Sequence, residues 1–149
     1  MNTHLHQMIA DISDTCTPEL SSSASRLAPA VSERILLNVL SKISDEPARV
    51  RTDADGRVVA INPAFSNLCG YRFEEIHGRK PGSLLQGPET TRDSILEIRH
   101  AIQNRQKCSV VMVNYHKNQS PYTVRIELEP LFSPSGLLQG FEAKEKKLA

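Results

Sequence analysis

Hydrophobic and polar positions change rhythm several times along this chain of 149 residues. Leu5, Met8, Ile9 and Ile12 fall at helical spacing, and Pro18 then leads into Ser21-Ser22-Ser23-Ala24-Ser25. Over residues 1–30 this predicts a short amphipathic helix running into a flexible leader, because small polar residues gain little by burial and lose chain entropy on ordering. A stronger stripe follows over 31–45. Val31, Ile35, Leu36, Val39, Leu40 and Ile43 recur at 3.6-residue spacing, with Pro29 and Ser32 at the start and Glu46-Pro47 at the stop. One apolar face needs cover, either from the domain itself or from a second copy of this helix, and periodicity favours neither.

From Ala48 the period drops to two. Ala48, Val50 and Thr52 alternate with Arg49 and Arg51, Asp55-Gly56 supplies a hairpin turn, and Val58-Val59-Ala60-Ile61 is the return strand. Asn62-Pro63 opens a short helix ending at Cys69-Gly70, and Phe73–Ile76 makes another, closed by Gly78. Gly82, Gly87 and Pro88 mark a loop-rich middle. Thr91 to Gln106 reads as a longer helix carrying Ile95, Leu96, Ile98 and Ile102. Strands return at Cys108–Tyr115, at Tyr122–Phe132 and, after the turn Ser133-Pro134-Ser135-Gly136, at Leu137–Ala143. In the second of these, Tyr122, Val124, Ile126, Leu128 and Phe132 are expected on one buried side, with Thr123, Arg125, Glu127 and Glu129 on the wet side. The order predicts an α+β domain whose antiparallel sheet carries short helices on one face. Lys144-Glu145-Lys146-Lys147 reads as a solvated end, or as the start of a helix toward another domain.

Charge and composition narrow the chemistry. Eighteen Lys and Arg against seventeen Asp and Glu leave a net +1, which argues against a dedicated nucleic-acid binder. Tryptophan is absent and few residues are aromatic, so no stacking platform for single strands is expected. No apolar run approaches the ~20 residues of a membrane-spanning helix, and Met1-Asn2-Thr3-His4 does not open a secretory signal. Cys16, Cys69 and Cys108 form neither a disulfide framework nor a zinc pattern, so reduced thiols and a cytoplasmic location are expected. Cys69 and Cys108 read as small buried hydrophobes, with no His or Lys cluster to activate them. His4 and His6 fall in the leader; His77 and His100 could serve a haem iron only if they faced a pocket. No nucleophile elbow, phosphate loop or metalloprotease motif is present, so an enzyme is not expected.

Asp53-Ala54-Asp55-Gly56-Arg57-Val58-Val59-Ala60-Ile61-Asn62-Pro63-Ala64-Phe65, then Gly70-Tyr71 and Gly78-Arg79, resembles the first half of a PAS domain. Pro81 to Thr90, Asn114-Tyr115-His116-Lys117, Ser120-Pro121-Tyr122 and Glu129-Pro130 are similar to the subgroup nearest the LOV photoreceptors. The resemblance covers 46–146. It implies a five-stranded antiparallel sheet cupping a small pocket under short helices, with 31–45 as an N-terminal cap and dimerisation helix. Ile35, Leu36, Val39, Leu40 and Ile43 would form the dimer interface. The implied role is a sensory or regulatory module of bacterial-type signal transduction, acting as a homodimer on a downstream signalling domain or protein, without nucleic acid or membrane.

The same resemblance tests cofactor binding residue by residue. The Asn-Cys-Arg run of LOV domains falls on Pro81, Gly82 and Ser83, so the thiol and the phosphate-binding arginine are both missing there. The pocket positions are Gln86, Asn114, Val124 and Glu142: the first two are retained, valine replaces an asparagine, and glutamate replaces a glutamine. An unpartnered flavin group beside Val124 would cost about 1–3 kcal/mol. The reading therefore favours no cofactor, with non-covalent FMN or, behind it, haem as the alternative. Any small ligand is expected between Val59, Ile61, Leu85, Val111 or Val113, Val124 and Ile126, and the outer face bearing Arg49, Arg51, Thr123, Arg125, Glu127 and Glu129 is expected to meet a partner. Asn118-Gln119 stands where this subgroup usually has a glycine turn. Gln is disfavoured at positive φ, which predicts a wider or different turn.

Overall fold

The computed structural model describes residues 33–40 and 46–149. The leader over 1–30, with His4, His6 and Cys16, lies outside the described residues, as do Val31 and Ile43. The chain divides into two units, 1–44 and 45–149. Within the first, residues 33–40 are helical as the stripe predicts, and Ile35, Leu36, Val39 and Leu40 are exposed.

In the second unit, β1 (Ala48–Asp53) and β2 (Val58–Ile61) form the first hairpin. Helices follow at Pro63–Cys69, Phe73–Ile76, Gly82–Leu85 and Arg92–Asn104. Then come β3 (Cys108–Tyr115), β4 (Pro121–Phe132) and β5 (Leu138–Lys147). All pairings are antiparallel and the spatial order is β2-β1-β5-β4-β3. This is the α+β architecture expected. Because β2 and β3 are opposite edges, the chain between them must cross the whole sheet. Its helices bury Phe65, Cys69, Ile76, Leu85 and Ala101 in one core with Val50, Val58, Met112, Val124, Ile126 and Phe141 of the sheet.

Local chemistry fixes the crossing segment. The Asn62 side chain accepts from Phe65 N (3.0 Å) as an N-cap and from Arg49 N (2.8 Å), while its amide donates to Pro47 O (2.9 Å). One residue thus starts a helix and ties it to β1. Thr91 caps the longest helix by accepting from Ser94 N (3.3 Å). Gly140 lies so close to β1 that a Cβ there would meet the Thr52 carbonyl at 1.8 Å, so only glycine lets β5 sit beside β1.

Four details differ from expectation. Gly82–Leu85 is a helical turn inside the stretch read as loop. Phe132 is exposed, because a register shift between Leu131 and Phe132 interrupts the two-residue alternation of β4. Gln119 does take positive φ (72°), although the β3–β4 turn is wider than a two-residue hairpin as expected: three residues closed by His116 N to Ser120 O (2.9 Å), with Asn118 Oδ1 accepting from Ser120 N (2.9 Å). β5 runs on to Lys147, so the residues read as a solvated end are a strand paired with β1 and β4.

Candidate functional site

The helices do not fill the concave face completely. A cavity of about 600 Å³ lies between them and the sheet, within the range of small-molecule sites. Its sheet wall is Val50, Met112, Ile126, Leu128, Phe141 and Ala143; Leu85, Ile95, Ile98 and Ile102 come from the crossing segment. Polar groups are few. Thr52, Gln86, Asn114 and Glu145 belong to the wall, as do the exposed residues Asp55, Lys80, Arg99 and Gln103. An apolar slot with a few convergent polar groups is the usual form of a ligand site.

Strand parity decides which predicted residues reach this cavity. Gln86 and Asn114 are on its wall, and Asn114 is buried. Gln86 folds over Gly82, where a Cβ would meet its Nε2 at 2.8 Å. Val124 is fully buried in the core but does not line the cavity. Glu142 requires correction: it sits one residue out of phase with Phe141 and Ala143, on the outer face, where Arg51 Nε donates to its Oε1 at 2.9 Å. Leu85 and Ile126 line the cavity as expected, but Val59 and Val111 are exposed at 45% and 49%. Ile61 and Val113 also lie outside the lining; the inward members of β3 are Val110, Met112 and Asn114. His77 and His100 are exposed and absent from the cavity wall, so neither is placed to hold a haem iron.

The residue that sequence reasoning missed is Glu145. It faces Ile126 and Ala48 across the sheet, is only 4% exposed, and its Oε2 has no hydrogen-bond partner among the described residues. Burial pushes its carboxyl up to about 7. A signal was present, since Phe141, Ala143 and Glu145 share strand parity, but the flanking lysines gave the segment the look of a solvated tail. Burial also pushes up the Cys69 thiol and, with Glu145 and Cys69 adding to it, the Tyr122 phenol. Cys108 is raised by burial too. Neither thiol is an activated nucleophile at neutral pH, and neither lines the cavity.

Comparison with known proteins gives the family. The PAS domain family profile matches residues 48–142. Protein TWIN LOV 1 of Arabidopsis thaliana is 39% identical over 75 residues, half of this chain and 18% of that protein. A blue-light photoreceptor of Listeria innocua is 32% identical over 75 residues, 50% of this chain and 29% of that protein. The chain therefore spans less than a third of these relatives. The light-state structure of the blue-light photoreceptor Aureochrome1 LOV superposes with a TM-score of 0.67 at 27% identity, covering 73% of this chain and 87% of that one.

These likenesses overturn the expectation of no cofactor, since a relative and a structural neighbour are blue-light photoreceptors. Val124 is not on the cavity wall, so the hydrogen bond that valine lacks is not lost there, and the wall carries Gln86, Asn114 and the unpartnered Glu145 instead. Among the described residues no helix is long and apolar enough to cross a membrane. A sheet cupping an apolar cavity under crossing helices, matched over 48–142 by the family profile, places this chain in the PAS domain family, as a sensory module of signal transduction.

Proposed function

We propose that this chain is a flavin-binding sensory domain that works without a cysteinyl bond to the ring. The observation that carries the reading is the cavity of about 600 Å³, mostly apolar, with Gln86 and Asn114 among the few polar groups of its buried part. Leu85, Met112, Leu128 and Phe141 would hold a flat ring by contact, and Gln86 and Asn114 would meet its polar edge. Lys80 and Arg99, exposed on the same cavity, supply positive charge for a phosphate in place of the arginine missing at 81–83. Flavin, when bound, supplies blue-light absorption and electron-accepting chemistry. The residues at 81–83 are Pro-Gly-Ser, and Cys69 and Cys108 are both off the cavity wall.

Output would pass through β5. That strand is central in the sheet, with Phe141, Ala143 and Glu145 on the cavity and Glu142 on the outer face. A change in the cavity therefore bears on the strand that also forms the partner-facing surface. Ile35, Leu36, Val39 and Leu40, with Ile43, would carry homodimer contact, and the receiver is a downstream signalling domain or protein. The free thiols of Cys69 and Cys108 suit a reducing, cytoplasmic setting.

The test is the visible spectrum of the purified protein, before and after incubation with FMN, with mass spectrometry of whatever denaturation releases. A blue flavin band that illumination does not bleach is the expected result. Gly82→Cys, which restores a thiol at the resembling position, should make that bleaching appear and recover in the dark. A colourless protein that takes up no FMN would overturn the reading.

A further inference from the structure

We infer that Glu145 is a ligand-recognition residue of the cavity, and that it receives an uncharged ring bearing a carbonyl or ring-nitrogen acceptor in its protonated form, so that loading takes up a proton. This rests on the cavity being the ligand site and deepens the flavin reading by naming what selects and regulates its occupant.

Three observations meet at this carboxyl. It lines the cavity, it is buried, and one oxygen has no hydrogen-bond partner among the described residues. A buried carboxyl left unpaired is costly, and no ordinary structural role explains it. Its β-strand neighbours Ala48 and Ile126 are apolar. The titratable groups nearest in effect are Cys69, at the end of the Pro63–Cys69 helix, and Tyr122 on β4. Burial keeps both uncharged through the neutral range, and their ionised forms are anions, so neither offers a counter-charge in any state. Asp55, Lys80 and Arg99 are the other charged residues of the cavity wall, and all three are exposed to solvent.

Ligand chemistry follows. Burial pushes the Glu145 carboxyl up to about 7, which brings its titration into the neutral range. An uncharged ring entering the cavity displaces water and makes the carboxylate still less favourable. The proton comes from solvent and adds to the carboxylate, and the resulting O–H is donated to the ligand's acceptor. A cationic ligand would do the reverse and favour ionised Glu145.

Riboflavin is the first probe, since it lacks the phosphate whose own titration would confuse the result; the neutral lactam 2-quinolinone is the second. The dissociation constant of each should weaken about tenfold between about pH 6 and about pH 8 in the natural protein, and should be flat in Glu145→Gln. Independently of any variant, the carbon-13 signal of the Glu145 carboxyl should titrate near neutrality in the free protein and move to higher pH when either probe is bound. Lactam binding with this slope, but no riboflavin binding at any pH, would sink the flavin reading and leave the inference standing. Riboflavin binding with no pH slope, or a slope that survives in Glu145→Gln, would overturn the inference and leave the flavin reading intact. Tighter binding at high pH would overturn it too, and failure of both probes to bind would overturn both.

Discussion

Glu142 and Glu145 stand three residues apart on β5, both buried, on opposite faces of the sheet and with opposite company. Glu142 faces outward, ion-paired to Arg51. Its side of the sheet is a surface of matched charges, where Glu129 lies 3.1 Å from Lys107 and 3.6 Å from Lys144. Lys107, with Lys144 behind it, holds the Glu129 carboxyl below the ordinary range. Glu145 faces inward, where burial holds its proton on and no cation among the described residues pairs with it. The same residue type is satisfied on one face and unsatisfied on the other. The lesson is that burial alone does not set a carboxyl's state: Arg51 answers Glu142 on the outer face, while no described residue hydrogen-bonds Glu145 Oε2 on the inner one.

The comparison can be broken most forcefully at Phe141, which is almost fully buried on the inner wall. Phe141→Ala should cost about 3–5 kcal/mol in urea unfolding; a loss below about 1 kcal/mol would mean that the inner face is not the stabilising one. Next comes pH. Glu145 keeps its proton in the fold up to about 7, whereas the unfolded chain loses it near the ordinary glutamate value of 4.5. Over that interval the fold binds more protons, so stability falls as pH rises through it and levels off above about 7. The total is on the order of 3 kcal/mol, read from urea midpoints across the window, and Glu145→Gln should remove this slope.

The outer face should respond more weakly. Arg51→Ala should cost about 1 kcal/mol, because Arg51 is half exposed and its pair is screened, and added salt should shrink the difference. Smallest is Val111→Ala on the exposed side of β3, within about 0.5 kcal/mol by the same measurement. If Val111 proved as costly as Phe141, the assignment of faces would be wrong.

Much of this fold was legible in the chain. The alternation from Tyr122 to Leu128 is a strand with one wet face, and the structure buries those four inward residues. Asn62-Pro63 and Thr91 start helices because one residue type caps and the other has its φ already set, which are local effects. The retained Gln86 and Asn114 were also visible, and both reach the cavity. Phe132 was misread because a register shift is a property of two strands together. Resemblance points Glu142 to the pocket, but its strand parity, opposite to that of Phe141 and Ala143, puts it on the outer face beside Arg51.

What the sequence by itself determined is therefore local: periods of two and of 3.6, caps, turns, and the order of elements that makes a PAS domain. Such signals need only neighbours along the chain. Tertiary structure alone decided that 144–147 is a strand rather than a tail, because only β1 on one side and β4 on the other supply its hydrogen-bond partners. It alone decided that Glu145 is buried and unanswered. Burial of a charge is a sum over side chains distant in sequence, and Ala48, Ile126, Cys69 and Tyr122 come together around that carboxyl only when the sheet closes over the crossing helices.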